Sequence, residues 1–238
     1  MIRGLYNGAA ALDVITRQQE VISSNLANLN TSGYRSAQLV VNQRENPQPN
    51  NPRNELGPES LEVLTSFENG RLHQTDRPLD ASLVGDGFFS FESPDGTLYS
   101  RAGHFYRSPD SGTLVSNEGL PVLGESGPIN IPADIADSEI VIGEDGTVSG
   151  KGQQFGKLAV VGFRDNQSLE RVSQSFFKAG QNSVQTDATA VVTQFNQEYS
   201  NGNAVSEMIA MVIGTRHYEA VQKATTAISE AMREHIRA

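Results

Sequence analysis

The 238-residue chain has no cysteine. That excludes a disulfide framework, a thiol nucleophile and a thiolate metal site. It also fits a protein that passes through an oxidising space. Cations are scarce: 18 Lys and Arg stand against 28 Asp and Glu, a formal net charge of −10. A nucleic-acid groove needs clustered Lys and Arg to neutralise phosphate, so no nucleic-acid partner is expected. No apolar run approaches the roughly 18 residues that would cross a bilayer, so no membrane span is expected either. Near the N-terminus Asn7, Asp13 and Arg17 interrupt any apolar h-region, which argues against a secretory signal. Apolar residues make up 37% of the chain, enough for one large or two small domains without a generous core.

Recognisable chemistry is missing as well. His73, His104, His217 and His235 stand apart, and none sits in H-E-x-x-H. Gly150-Lys151-Gly152-Gln153-Gln154-Phe155-Gly156 approaches a dinucleotide fingerprint, but its third Gly comes one place late and no helix follows, so it reads as a β-turn. Gly124-Glu125-Ser126-Gly127 is not G-x-S-x-G. Asp86-Gly87 and Asp145-Gly146 lack the ligand series of a calcium loop. The expectation is a protein that is not an enzyme and carries no cofactor and no metal.

What the chain does contain begins with a helix from Gly4 to about Leu29. Steps of three and four from Leu5 land on Leu5, Gly8, Leu12, Ile15, Gln19, Ile22, Leu26 and Leu29, an a/d heptad seam with soft spots at Gly8 and Gln19. The intervening positions are mostly polar or small. Asn30-Thr31-Ser32-Gly33 stops the helix, because Asn and Ser compete for backbone bonds and Gly permits a positive φ. At ~1.5 Å per residue such a helix is about 40 Å long, and its single narrow apolar edge requires a partner. A second helical pattern runs from Asn203 to the C-terminus. Its apolar positions are Val205, Met208, Ile209, Met211, Val212, Ile213, Tyr218, Val221, Ile228, Met232 and Ile236. The later part is again heptad-like, through Met211, Gly214, Tyr218, Val221, Thr225, Ile228 and Met232. Around Met208 to Ile213 the stripe widens enough to face two neighbours.

Between the helices, Leu39-Val40-Val41 leads into an Asn/Pro-rich stretch from Asn42 to Ser60 that reads as a linker or mobile arm. From about Leu61 short β segments recur every eight to twelve residues, separated by turns such as Ser93-Pro94-Asp95-Gly96 and Glu144-Asp145-Gly146. Phe88, Phe89, Phe91, Phe105, Phe155 and Phe163 are candidate core members, with about half of each strand facing water. The expected fold is α+β: N- and C-terminal helices forming a coiled coil, with an inserted, mainly antiparallel β domain. The expected segments are 1–36 (N-terminal helix), 37–66 (linker or arm), 67–196 (β domain) and 197–238 (C-terminal helix, paired with 1–36).

Several stretches resemble one family. Asn25-Leu26-Ala27-Asn28-Leu29-Asn30-Thr31-Ser32-Gly33-Tyr34 is similar to the N-terminal signature of bacterial flagellar rod, hook and hook-associated proteins. Phe67, Gly70-Arg71-Leu72, Pro78-Leu79-Asp80 and Gly85-Asp86-Gly87-Phe88-Phe89 look like the block that opens the middle domain of the larger members. Tyr99-Ser100-Arg101-Ala102-Gly103 continues it. Glu198-Tyr199-Ser200-Asn201, Glu207-Met208-Ile209 and Tyr218-Glu219-Ala220 resemble the C-terminal signature, with Gly202 and His217 as departures from it. The resemblance implies a structural subunit of the basal-body rod, located in the periplasmic rod and exported by the flagellar apparatus without a cleaved signal peptide. Its implied partners are other copies of itself, other rod and hook axial proteins, and the export apparatus. The implied motif residues are Asn25, Asn28, Thr31, Gly33 and Tyr34. The implied assembly seams are Leu5, Leu12, Ile15, Ile22, Leu26 and Leu29 in the first helix and Val205, Met208, Met211, Tyr218, Val221, Ile228 and Met232 in the second. The length, and the absence of a Gly-rich insertion after the first helix, point to the proximal-rod type. The opening Met1-Ile2-Arg3 and Leu5 resemble the distal-rod type, and both stay open. The competing reading is a β-domain binding module for a cell-wall or carbohydrate ligand, oligomerised by its terminal helices.

Overall fold

One proline-free segment at each end of the chain forms a long helix: α1, Ile2–Ala27, and α2, Ala204–Arg237. The computed structural model describes residues 2–42 and 60–237. The Asn/Pro-rich stretch from 43 to 59 lies outside the described residues. The chain divides into two compact units. One takes Met1–Ala27, Ser36–Ser66 and Gly202–Ala238; the other takes Asn28–Arg35 and Phe67–Asn201.

In the first unit α1 and α2 lie antiparallel. Gly4 meets Ile228, Gly8 meets Thr225, Gln19 Nε2 bonds Thr215 Oγ1 at 3.4 Å, and Asn25 Nδ2 donates to Glu207 Oε1 at 3.0 Å. The start of α2 is set by Asn203, whose Oδ1 accepts from the N–H groups of Val205 (3.0 Å) and Ser206 (3.3 Å), an N-cap that satisfies two otherwise orphaned donors. Strands β1, Ala37–Asn42, and β2, Ser60–Thr65, pair antiparallel, with Leu39 opposite Val63 and Val41 opposite Leu61. Here the described chain departs from the linker expected over 37–66. The β-branched and Leu-rich runs on either side favour strand pairing over the turn chemistry between them.

The second unit is built on a six-stranded antiparallel sheet. Its order is Leu169–Arg171, Phe176–Ala179, Gly96–Ser100, Phe88–Ser93, Val160–Phe163 and Gln185–Asp187. Smaller ribbons complete it, among them Ala81–Val84 with Val191–Gln194 and Leu72–Gln74 with Asn196–Glu198. Its inner strands are buried on both faces. Phe89, Phe91, Phe105 and Phe176 join the main core, while Phe88, Tyr99, Leu169 and Phe177 form a second cluster. The expectation that half of each strand faces water fails for Phe88–Ser93, where Phe88 to Phe91 are all buried. Successive side chains point to opposite faces, and both faces are covered. Phe155 and Phe163 are only partly buried, and sequence reasoning missed Phe176 and Phe177. The stretch 150–156 turns at Lys151 (φ 50) and Gly152 (φ 80) between Thr147–Gly150 and Gln153–Lys157, the two positive φ values of a hairpin turn. Among the described residues no helix is long and apolar enough to cross a membrane.

The segment 28–35 groups with the β unit, although the sequence pattern places it with the first helix; residues 197–201 likewise group with the β unit and not with the second helix. The contacts described next account for both.

Candidate functional site

The helical unit is only partly covered. Ile22, 5% exposed, is its one buried large apolar side chain among the described residues. Leu5, Leu12, Ile15 and Leu26 are half-buried, as is Leu29 in the segment after α1. On α2 the half-buried or buried positions include Met211, Gly214, Tyr218, Val221, Thr225, Ile228 and Met232, spaced by threes and fours. That spacing continues toward the start of the helix through Glu207 and Ala204. Val205 and Met208, expected on the seam, fall off this line. They join Ile209, Val212 and Ile213 on an outer face where each is 48–61% exposed. One helical step separates the two sets, because Val205 and Met208 sit one position beyond Ala204 and Glu207, which rotates them about 100° away.

The motif residues have separate local tasks. Asn25 donates to Ala37 O (2.8 Å) and accepts from Ala37 N–H (2.9 Å), tying α1 to β1. Asn28 Oδ1 accepts from Thr31 Oγ1 at 3.2 Å, within the turn that follows the helix. Gly33 has φ +69, and a Cβ there would collide with the backbone nitrogen of Ala102. Tyr34 is buried, with the Arg171 guanidinium 5.0 Å above its ring.

A buried charge cluster in the β unit was not legible from the sequence. Glu198, Arg35 and Arg101 are each 1–2% exposed. Glu198 Oε1 accepts from Arg35 Nη2 (2.7 Å) and from Gly70 N–H (2.7 Å), and Oε2 accepts from Arg101 Nε (3.0 Å). Its backbone carbonyl accepts from Gly33 N–H at 2.8 Å and from Ser32 Oγ at 3.4 Å. Arg101 spends its remaining donors on the carbonyls of Gly85, Gly87 and Leu83 and on Asn69 Oδ1. Burial pulls the Arg101 pKa below its ordinary value, and the Glu198 carboxylate opposes that shift. Among the described residues Arg35 Nε and Nη1 have no hydrogen-bond partner, so two buried guanidiniums share one carboxylate. Arg101 and Glu198 both lie in the stretches that carry the family resemblance, but nothing in their spacing signals a pair.

Of the histidines, His73 and His217 are exposed, and the side chain of His235 lies outside the described residues. His104 is not isolated: its Nδ1 lies 2.7 Å from Oδ1 of the buried Asp80, and its Nε2 lies 2.7 Å from the Tyr106 hydroxyl. Thr75 Oγ1 donates to Asp80 Oδ2 at 2.8 Å, and Arg77 lies 3.4 Å from Asp80. Of these groups, His104 and Tyr106 border an open polar cavity of about 340 Å³ also lined by Ser32, Asn117, Glu118 and Gln197. Among the described residues no group of three His, Asp or Glu could hold a metal ion.

Three stretches match described families. Residues 5–35 match the flagella basal body rod protein family, residues 82–150 the flagellar hook protein FlgE/F/G D1 domain, and residues 193–237 the flagellar basal body rod FlgEFG protein C-terminal family. The flagellar basal-body rod protein FlgG of Agrobacterium fabrum is 32% identical, covering 96% of each chain. FlgG of Bacillus subtilis is 28% identical over 98% of each chain. The rod protein FlgF of Rhizobium meliloti is 30% identical over 93% of this chain and 91% of its own.

Proposed function

Since the chain belongs to the flagellar basal-body rod protein family, we propose that it is a structural rod subunit that joins the shaft through its terminal helices. The observation that carries this reading is the outer face of α2. Val205, Met208, Ile209, Val212 and Ile213 follow the i, i+3, i+4, i+7, i+8 spacing of one helical face and stand in water in the single chain. Five contiguous large apolar side chains left exposed mark a surface built to be covered. With Ile22 the one large apolar side chain buried in it among the described residues, the helix pair has little core of its own, and neighbouring copies supply the rest. Identical subunits packed by such an offset contact form a helical filament.

In this reading α1 and α2 pair as an intrachain coiled coil along Leu5, Leu12, Ile15, Ile22 and Leu26 against Met211, Tyr218, Val221, Ile228 and Met232. The outer face of α2 meets the next copy or another rod or hook protein. The helices order on assembly, which suits passage through the flagellar export apparatus to the periplasmic rod. Similarity to relatives named FlgG and FlgF is of the same order.

Ile209→Asp tests the proposal in cells. The expected result is loss of motility and of rod incorporation, with the β-unit transition of the purified full chain at the wild-type temperature. Normal swimming by this variant would rule out the outer face as an assembly surface.

A further inference from the structure

The chain passes between its two units at four places: after Ala27, after Arg35, after Ser66 and after Asn201. One residue is bonded to the β-unit side of all four. Gly33 and Arg35, which Glu198 holds through its carbonyl and its carboxylate, lie in the segment between the first two passages. Gly70, whose N–H reaches the same carboxylate at 2.7 Å, follows the third. Glu198 itself precedes the fourth, and Tyr199 N–H continues the link by bonding Arg71 O at 3.0 Å. We propose that Glu198 is a mechanical clamp: it gathers the four chain exits at one buried point and passes force entering through them into the body of the β unit. The proposal rests on the rod reading, because a rotating shaft is what loads those exits.

The path inward is Arg101. Its Nε holds Glu198, and its Nη atoms hold the carbonyls of Leu83, Gly85 and Gly87, the strand and turn that lead into Phe88–Ser93 at the centre of the six-stranded sheet. Without this link, force on the exits would act on the three-residue ribbon Leu72–Gln74 with Asn196–Glu198, which an end-on pull opens one pair at a time. A single carboxylate serves two guanidiniums, so its removal leaves two buried cations uncompensated. Breaking a buried pair in this way shifts a local equilibrium by about two to three orders of magnitude.

Hydrogen exchange on the full chain tests the clamp. In Glu198→Gln the amides of Gly33, Gly70 and Tyr199 should exchange about a hundredfold faster or more, while the core amides of Ser90 and Leu114 keep wild-type protection. Arg35→Met leaves the Arg101–Glu198 pair intact, so it should loosen Gly33 and spare Gly70; this variant decides the matter if Glu198→Gln does not fold. In cells, Glu198→Gln should build rods that swim in dilute medium and stall in viscous medium. The clamp is overturned if Gly33 and Gly70 stay protected in Glu198→Gln, if Arg35→Met releases Gly70 as readily as Gly33, or if swimming in viscous medium is undiminished. Failure of the rod reading looks different: deleting the gene would leave motility intact whatever the exchange pattern.

Discussion

Asn25 and Ala37 hold each other by two hydrogen bonds, one in each direction, so the carboxamide of a helix residue pairs with the backbone of the first strand residue as a neighbouring strand would. The same Asn25 Nδ2 reaches Glu207 on α2. One side chain therefore joins α1, β1 and α2. Asn25→Ala leaves the N–H and C=O of Ala37 without partners in a part-buried position. The expected cost is about 2–4 kcal/mol, read as earlier thermal dissociation of assembled protein and faster exchange at the Ala37 amide.

Gly33→Ala should destabilise the β unit by on the order of 3 kcal/mol or more. A side chain at φ +69 is strained, and the added Cβ would meet the backbone of Ala102, which cannot rotate away as a side chain can. A thermal midpoint within a degree or two of wild type would show that the close approach is not maintained in solution.

Leu26→Asp puts a charge on the half-buried face of α1. Motility and incorporation should be lost, while the β-unit transition in a circular dichroism melt of the full chain is unchanged, since the described residues of both β-unit clusters lie outside the helices. Retained swimming would separate Leu26 from the helix pairing.

Tyr99 supplies a pH dependence with a definite sign. Burial raises its pKa above the ordinary value of 10.0, partly offset by a hydrogen bond from Gln185. The folded state keeps the phenol proton after the unfolded chain has begun to lose it. Its contribution is complete below the ordinary tyrosine value and declines as the pH rises from there toward the folded-state value. Urea midpoints should therefore fall as the pH is raised above about 10, and Tyr99→Phe should reduce that fall. An identical alkaline slope in both proteins would show that Tyr99 ionises equally in the two states.

How much of this was legible in the sequence differs by element. The threes and fours from Met211 to Met232 are a local pattern, and the half-buried positions of α2 follow it. Val205 and Met208 misled because an apolar stripe wide enough for two faces does not reveal which face the chain itself covers. The run Phe88-Phe89-Ser90-Phe91 announced a strand, but its burial on both sides depends on a second cluster assembled from Leu169 and Phe177, far along the chain. The motif residues Asn25, Gly33 and Tyr34, like Asn28 and Thr31, were found by resemblance, and the tasks of these three became visible only with their partners Ala37, Ala102 and Arg171 in place.

By itself the order of residues determined the helices at both ends and the turn-punctuated strands between them, because periodicity, caps and turn chemistry act over a few neighbouring residues. Only the tertiary structure decided that Arg35, Arg101 and Glu198 meet, that residues 28–35 complete the β unit, and that Val205, Met208, Ile209, Val212 and Ile213 face outward. Those outcomes depend on which distant segments the chain brings together, and a carboxylate has no local pattern that names a guanidinium 163 residues away.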